Sequence, residues 1–135
     1  MWIDERGSSV LGTGECQRLL ALGSKERRHG HLGVGQPGAP LVLPLDYVVH
    51  GPDVVVRMGE GLFARVEQAG LVAFQVDGET GGDHWSVLVR GLALAEDGDG
   101  GGGAVPVPRV ASPGHRLVRI RTDVVTGRRF AAAAP

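Results

Sequence analysis

Apolar residues occur in short runs separated by glycine, proline and polar turns, a pattern that predicts strands more than helices. The clearest part covers residues 40–66, where runs at 41–49 and 54–58 are joined by a Gly-Pro-Asp turn. Three consecutive valines in the second run predict a strand buried on both faces. A short helix is predicted at 62–69, closed by Gly70. Pro44 interrupts the first run and marks an edge, a bulge or a ligand contact.

The same pattern continues on both sides of this region. A helix with Thr13 as its N-cap is predicted to end near Gly23, and strands are predicted at 32–35, 71–77, 85–95 and 116–121. Residues 78–84 and 97–103 are expected to be Gly-rich loops, 105–114 to be irregular, and 122–130 to close the fold. Short strands separated by tight turns are typical of an antiparallel barrel.

The domain prediction is a single unit from 13 to 130. Residues 1–12 show no clear period and predict a flexible N-terminal arm, while 131–135 form a tail. At 135 residues the chain is long enough to bury one hydrophobic core without the help of disulfides or a structural metal.

Composition narrows the choice of partners. The formal net charge of −1 gives no general attraction to nucleic acid or acidic membranes. No apolar run approaches the roughly 20 residues that span a bilayer, and the first residues lack the apolar core of a signal peptide. We therefore expect a cytoplasmic protein. Cys16 is the only cysteine, so an intrachain disulfide is excluded. We predict that Cys16 is a small, buried hydrophobic residue.

Residues 57–61 could hold an anion, because a strand there leads through a glycine-bearing loop into a helix. Unpaired backbone N–H groups and the positive helix end favour negative charge. Arg57, at the end of the strand, could fork two phosphate oxygens. The hypothesis is a β-rich domain that holds a phosphorylated ligand here.

Other polar residues leave alternatives open. His29 and His31 are either metal ligands on one strand face or part of a solvated loop, and the absence of a third ligand nearby favours the loop. We therefore predict no metal site. Asp46 and Tyr47 are either a surface acid and a half-buried aromatic or a polar lining beside the phosphate loop. His84 is a weak candidate for a general acid, and no catalytic residue is predicted.

The arginines from 116 to 129 make a local excess of positive charge. They lack the interleaved aromatics of a nucleic-acid surface. An anion-binding wall or a subunit interface is the better interpretation.

Several strings, in this order and spacing, resemble the pyridoxamine 5′-phosphate oxidase-like flavin-binding split-barrel proteins: GHLGV, PLDYVV, VVVR, GEG, VAFQVDG, WSVLVRG, VRI and VTGRRF. The likeness covers roughly residues 13–130 and is closest to the small bacterial branch that includes nitroimidazole-resistance proteins. It implies a mainly β fold, a six-stranded antiparallel split β-barrel with small helices. It also implies a homodimer with FMN in clefts between subunits, and an FMN-dependent oxidoreductase whose small-molecule substrate is unknown.

The resemblance also implies which residues approach the cofactor. Residues 43–47 would lie along the isoalloxazine edge, Arg57 and the loop after it would hold the phosphate, and residues 85–87 would approach from near the partner subunit. The implied cofactor-binding residues are Leu45, Asp46, Tyr47, Arg57, Met58, Glu60, Gly61, Phe63, Arg65, Trp85, Ser86 and Val87.

The phosphate loop departs from the family pattern. Hydroxyls expected at 58 and 62 and a lysine expected at 63 are replaced by Met58, Leu62 and Phe63. Each charged hydrogen bond that is lost weakens the binding free energy of the phosphate by about 1.5 to 3 kcal/mol. Arg65 could reach back to the phosphate, or Arg128 and Arg129 of the partner subunit could replace the missing groups. Alternatively, the chain is a non-catalytic or degenerate split-barrel dimer that binds a deazaflavin, heme or another small molecule.

Overall fold

Eight antiparallel strands and two helices make up the fold in a computed structural model that describes residues 8–36, 38–96 and 115–131. In chain order the elements are β1 (Ser8–Leu11), α1 (Thr13–Lys25), β2 (His29–Val34), β3 (Leu41–His50), β4 (Asp53–Met58), α2 (Glu60–Ala69), β5 (Leu71–Thr80), β6 (Asp83–Ala95), β7 (Arg116–Ile120) and β8 (Val124–Phe130).

Six of the strands close into a barrel in the order β6, β5, β2, β3, β4, β7, because β7 pairs with both β4 and β6. The predicted six-stranded antiparallel barrel is therefore confirmed. Two long strands of the barrel pair with different neighbours along their length. In β3, residues 41–46 pair with β2 and residues 47–50 pair with β4. In β6, residues 83–92 pair with β5 and residues 93–95 pair with β7.

Strand alternation and the two helices fill the barrel with apolar side chains. Each fully buried aliphatic or aromatic side chain contributes about 1.5 to 3 kcal/mol. Val55 is also buried, although it faces away from its neighbours Val54 and Val56, so the valine run is buried on both faces as predicted. Inward-facing residues of the core include Val54, Val56 and Met58 of β4, Phe74 and Val76 of β5, Trp85 and Val87 of β6, Cys16 and Leu19 of α1, and Phe63 and Val66 of α2.

The N-terminal prediction differs from the structure at residues 8–11. These residues form β1, which pairs with β8 from Ser8 opposite Phe130 to Leu11 opposite Gly127. Ser8 and Ser9 are buried by this pairing. The strand was missed because main-chain pairing at a sheet edge does not require an alternation of apolar and polar residues. The remainder of the predicted arm (1–7) and tail residues 132–135 lie outside the described residues.

Both helices extend beyond their predicted limits. Gly12 is the N-cap of α1, which begins at Thr13 and continues through Gly23 to Lys25. Gly23 is required there because a Cβ would collide with the Tyr47 hydroxyl. Helix α2 begins at Glu60 and, as predicted, is closed by Gly70, whose φ is +75°. In the part of the chain that the structure describes, no helix is long and apolar enough to cross a membrane.

Residues 78–84, predicted to be a loop, form the end of the β5–β6 hairpin. Thr80 pairs with Asp83 across a turn at Gly81 and Gly82, whose φ values are +61° and +87°. The sequence did not predict this extension of the two strands, because their ends project beyond the core and carry polar residues. The predicted loops at 97–103 and 105–114 lie outside the described residues.

Candidate functional site

Arg57 lies one residue before the end of β4, on the outer face of the barrel. Its neighbours Val56 and Met58 face the core, and Leu117 of β7 lies opposite it. The side chain is partly buried and its Nε atom is fully buried without a hydrogen-bond partner. Burying a charged donor without an acceptor is costly. Arg57 is therefore suited to receive an anion.

The start of α2 follows directly. Its N-cap, Gly59, has φ −72° and ψ 166°, and no side chain caps the helix. A Cβ added at Gly59 or Gly61 would meet no atom within 4 Å, so both glycines border open space. The first turn of α2 thus borders open space, and the positive end of the helix dipole favours negative charge. Arg57 and this turn are neighbours in the chain, as the sequence predicted.

Met58 and Phe63, two of the implied cofactor contacts, are core residues with exposures of 2% and 6%. The Arg116 guanidinium stacks over the Phe63 ring, 4.0 Å from its centroid. Arg116 Nη1 also lies 3.3 Å from Glu60 Oε1. A cation therefore stands beside the helix start although no lysine does. Sequence reasoning did not find Arg116 here, because only the pairing of Met58 with Arg116 brings β7 to this position.

Arg65 is directed toward the β2–β3 connection. Its Nη2 atom donates a 2.8 Å hydrogen bond to the Ala39 carbonyl. This contact joins α2 to the barrel. In this arrangement Arg65 contacts the β2–β3 connection, whereas the sequence hypothesis had it reaching back to the phosphate.

The implied contacts on β3 face different ways. Leu45 packs against the core, and Asp46 is on the opposite face. Tyr47 faces inward, is 4% exposed, and donates a 2.7 Å hydrogen bond to the Leu20 carbonyl. Burial raises the pKa of Tyr47 well above that of a free phenol. Tyr47 therefore joins α1 to the barrel, and Asp46 is the polar group of this segment on the outer face.

Alternation also separates the three implied residues of β6. Trp85 and Val87 are buried in the core, and the indole Nε1 has no hydrogen-bond partner among the described residues. Ser86 faces outward and accepts a 2.9 Å hydrogen bond from Gln75 Nε2. Trp85 lies opposite Gly78 and Arg129. These residues therefore lie on a different strand pair from Arg57.

The family model for pyridoxamine 5′-phosphate oxidase matches residues 13–101, more than half of the chain. The chain belongs to this family. No curated protein matches it.

Solved structures share the barrel. A candidate pyridoxamine 5′-phosphate oxidase from Corynebacterium glutamicum is 20% identical, with a TM-score of 0.77, and the match covers 97% of this chain and 99% of that one. An FAD-binding protein from Mycobacterium smegmatis is 25% identical, with a TM-score of 0.67 and coverages of 90% and 99%. A heme-binding protein from the same organism is 13% identical, with a TM-score of 0.65, and covers 93% of this chain and 56% of that one.

The histidines singled out in the sequence of this pyridoxamine 5′-phosphate oxidase family member lie on β2 and on the β5–β6 hairpin. His29 and His31 lie in β2, where a solvated loop was favoured, and their ring centroids are 5.6 Å apart. No three potential metal ligands come together among residues 8–36, 38–96 and 115–131. His84 Nε2 is 3.3 Å from Glu79 Oε1 on the hairpin, and both side chains are 62% exposed, as expected for solvated groups.

Three further residues have structural contacts within this chain. Cys16 is fully buried, as predicted, and burial raises the pKa of its thiol. Arg128 Nη1 donates a 3.0 Å hydrogen bond to Ser8 Oγ. Arg129 Nη2 lies 3.1 Å from Glu15 Oε1, linking β8 to α1. The two arginines thus have local partners in this family member.

Proposed function

We propose that this protein binds the phosphate of a flavin nucleotide, with FMN as the preferred form, and is a flavin-dependent oxidoreductase. The observation that carries the proposal is Arg57, a partly buried cation with no hydrogen bond or ion pair to any described residue. It precedes an uncapped helix start. Family membership and the similar FAD-binding protein from Mycobacterium smegmatis support a flavin as the ligand.

Within this proposal, the Arg57 guanidinium and the first-turn N–H groups of α2 would hold the phosphate. Arg116 adds positive charge beside Glu60, whose carboxylate it partly neutralises. A bound flavin supplies the hydride or electron transfer. The chain supplies binding and orientation, and no side chain is assigned as a general acid or base.

We also propose a cytoplasmic homodimer with the cofactor cleft between subunits. Support comes from exposed aliphatic side chains on the adjacent strands β1, β8 and β6, where Val10 is 44%, Val124 is 48% and Leu92 is 38% exposed. Apolar surface of this kind is favourably removed from water by a second subunit. The lone Cys16, which forms no disulfide, is compatible with a reducing compartment.

A second candidate function is a degenerate, non-catalytic dimer that binds a deazaflavin, heme or another small molecule. The burial of Met58 and Phe63 favours it, because neither position presents a donor to phosphate. If two or three charged hydrogen bonds of about 1.5 to 3 kcal/mol each are missing, FMN affinity falls by several orders of magnitude.

The two candidates are separated by the visible absorption spectrum of purified protein and by titration with FMN. A flavoprotein should be yellow or should quench flavin fluorescence with micromolar affinity. Arg57→Ala should weaken FMN binding at least about 10-fold, because it removes a charged, bidentate donor.

Arg18→Ala is the matched control, since Arg18 is an exposed helical arginine paired with Glu15. It should leave FMN affinity unchanged. If Arg57→Ala and the unmodified protein bind FMN with equal affinity, the phosphate does not bind at Arg57. Colourless protein that does not quench flavin fluorescence would favour the second candidate.

A further inference from the structure

Arg116 is placed at the start of α2 by strand pairing and by an aromatic ring. It lies opposite Met58 in the β4–β7 pair, whereas Leu117 lies opposite Arg57. Because successive strand residues point to opposite faces, the Arg116 side chain leaves β7 on the face away from Arg57. Its guanidinium stacks on the Phe63 ring, 4.0 Å from the centroid. The two arginines therefore approach the helix start from different faces of the sheet.

The Glu60 carboxylate is the acceptor that Arg116 has in this structure. Arg116 Nη1 lies 3.3 Å from Oε1 and 3.5 Å from Oε2 of Glu60. Both distances exceed the roughly 2.7 to 2.9 Å of a strong charged hydrogen bond, and the side chains are 43% and 62% exposed. By comparison, Arg18 Nη2 lies 2.7 Å from Glu15 Oε1. A long, exposed ion pair contributes little to stability, so Arg116 can leave Glu60 easily.

The Arg116 guanidinium has further donors that it does not use. Its Nε and Nη2 atoms make no hydrogen bond to any residue within 8–36, 38–96 and 115–131. The contact with Phe63 is made by the central carbon of the group, so it does not occupy the N–H groups in the guanidinium plane. Arg116 can thus turn these N–H groups toward another acceptor while it stays on the ring.

The first turn of α2 combines backbone donors with one carboxylate. The first hydrogen bond of the helix runs from Phe63 N–H to the Gly59 carbonyl at 2.9 Å. The N–H groups of residues 60–62 therefore have no acceptor within the helix. Glu60 is the acidic residue of this turn. Its carboxylate opposes an incoming phosphate in two ways, because it repels the phosphate and holds Arg116.

We propose that Glu60 is an internal competitor of the ligand phosphate, and that a bound phosphate takes the Arg116 guanidinium from the Glu60 carboxylate. The inference rests on the proposed flavin phosphate site, since it assigns the regulation of that same site. A phosphate carries more charge than a carboxylate and offers more oxygens, so it binds the guanidinium more strongly. Glu60 holds Arg116 in the absence of ligand and thereby lowers the affinity of the site.

A double substitution distinguishes this transfer from a role in which Arg116 stays on Glu60 and only screens its charge. Fluorescence-quenching titrations with FMN use the full chain in four forms: native, Glu60→Gln, Arg116→Gln and the double variant. With transfer, Glu60→Gln should tighten FMN binding at least about 3-fold, because the competitor is removed. Arg116→Gln should then weaken binding about 3-fold in the native chain and at least about 10-fold in the Glu60→Gln chain.

Screening alone predicts the reverse order. Arg116→Gln should then weaken FMN binding in the native chain, where it exposes the Glu60 charge, and change it less than about 2-fold in the Glu60→Gln chain. The Glu60→Gln variant keeps Arg116 on Phe63, so its result does not depend on how well the Arg116 variant folds.

Matched controls separate the phosphate from the rest of the ligand and from net charge. Riboflavin has the flavin ring without the phosphate, and its affinity should change less than about 2-fold in all four forms. Glu67→Gln, on the exposed face of α2, and Arg18→Gln, on α1, make the same charge changes elsewhere. Both should leave FMN affinity unchanged.

The inference is overturned if Glu60→Gln does not tighten FMN binding, or if Arg116→Gln is less damaging in the Glu60→Gln chain than in the native chain. An equal loss of FMN and riboflavin binding in Arg116→Gln also overturns it. If Arg57→Ala weakens FMN binding and Arg116→Gln does not, the flavin proposal stands and the transfer of Arg116 is wrong. Native protein that binds no FMN overturns both.

Discussion

At the scale of single residues, the direction of a side chain determines whether it can meet a ligand. Met58 faces the core and Arg57 next to it faces outward. Tyr47 faces inward and Asp46 outward for the same reason, because successive strand residues point to opposite faces. One of the two sequence alternatives grouped Asp46 with Tyr47 as a polar lining. A tyrosine can be buried when its hydroxyl finds an acceptor, here the Leu20 carbonyl at 2.7 Å.

The raised pKa of Tyr47 predicts a loss of stability in alkali. The unfolded state ionises near pH 10, while the folded state keeps its proton to higher pH. The stabilisation is therefore complete below about pH 10, and the free energy of unfolding then falls by about 1.4 kcal/mol per pH unit until the folded phenol ionises. Urea unfolding from neutral to alkaline pH measures this slope.

Tyr47→Phe is the control. It should cost about 1 kcal/mol at neutral pH through the lost hydrogen bond, and its stability should decline less in alkali. Tyr47 is the only tyrosine, so phenolate absorbance reports it directly. Ionisation of folded protein near pH 10 would contradict the buried hydrogen bond.

At the scale of elements, a turn determines how far two strands pair, which the apolar pattern alone does not indicate. Gly81 and Gly82 both have positive φ, which is the requirement of a two-residue type I′ hairpin turn. The turn lets β5 and β6 pair all the way from Leu71 opposite Leu92 to Thr80 opposite Asp83. Glycine-rich polar sequence is compatible with either a loop or a hairpin, and the pairing partner decides between them.

The hairpin predicts opposite results for two substitutions. Gly81→Asn should keep or slightly raise stability, because asparagine is favoured at the first position of this turn. Gly82→Val should destabilise the protein by about 1 to 2 kcal/mol, because a β-branched residue is strained at φ +87°. Chemical denaturation of both variants measures the difference. Equal losses would mean that the turn is not of this type in solution.

At the scale of the whole molecule, barrel closure brings distant segments together. Strand β7, from the far end of the chain, pairs with both β4 and β6, and thereby places Arg116 over Phe63 at the start of α2. Strands β1 and β8 extend the sheet beyond the barrel. The aliphatic side chains exposed on this extension and on the neighbouring strand β6 underlie the proposed dimer.

The proposed dimer predicts that Val10→Asp weakens self-association at least about 10-fold, because two carboxylates would be brought toward the two-fold contact and desolvated. Sedimentation velocity over a concentration series measures the effect. Ala64→Asp, on the exposed face of α2, should leave the dimer unchanged. A native protein that sediments as a monomer at all concentrations would contradict the proposal.

Local sequence was sufficient for much of the architecture. Features that depend only on residues close together in the chain could be predicted. They include the apolar patterns of β3 to β6, the end of α2 at Gly70 and the buried valines of β4. The position of Arg57 before the helix start could be predicted for the same reason. Strand β1 could not, because Ser8 and Ser9 are buried by pairing with β8 and carry no apolar signal of their own.

The order of residues thus determined the barrel type, the family likeness and the place of the arginine before α2, since these depend on neighbours in the chain. Contacts between distant strands determined that Met58 and Phe63 belong to the core and that Arg116 stands beside Glu60. Register and closure are properties of the assembled barrel, and no single stretch of sequence contains them.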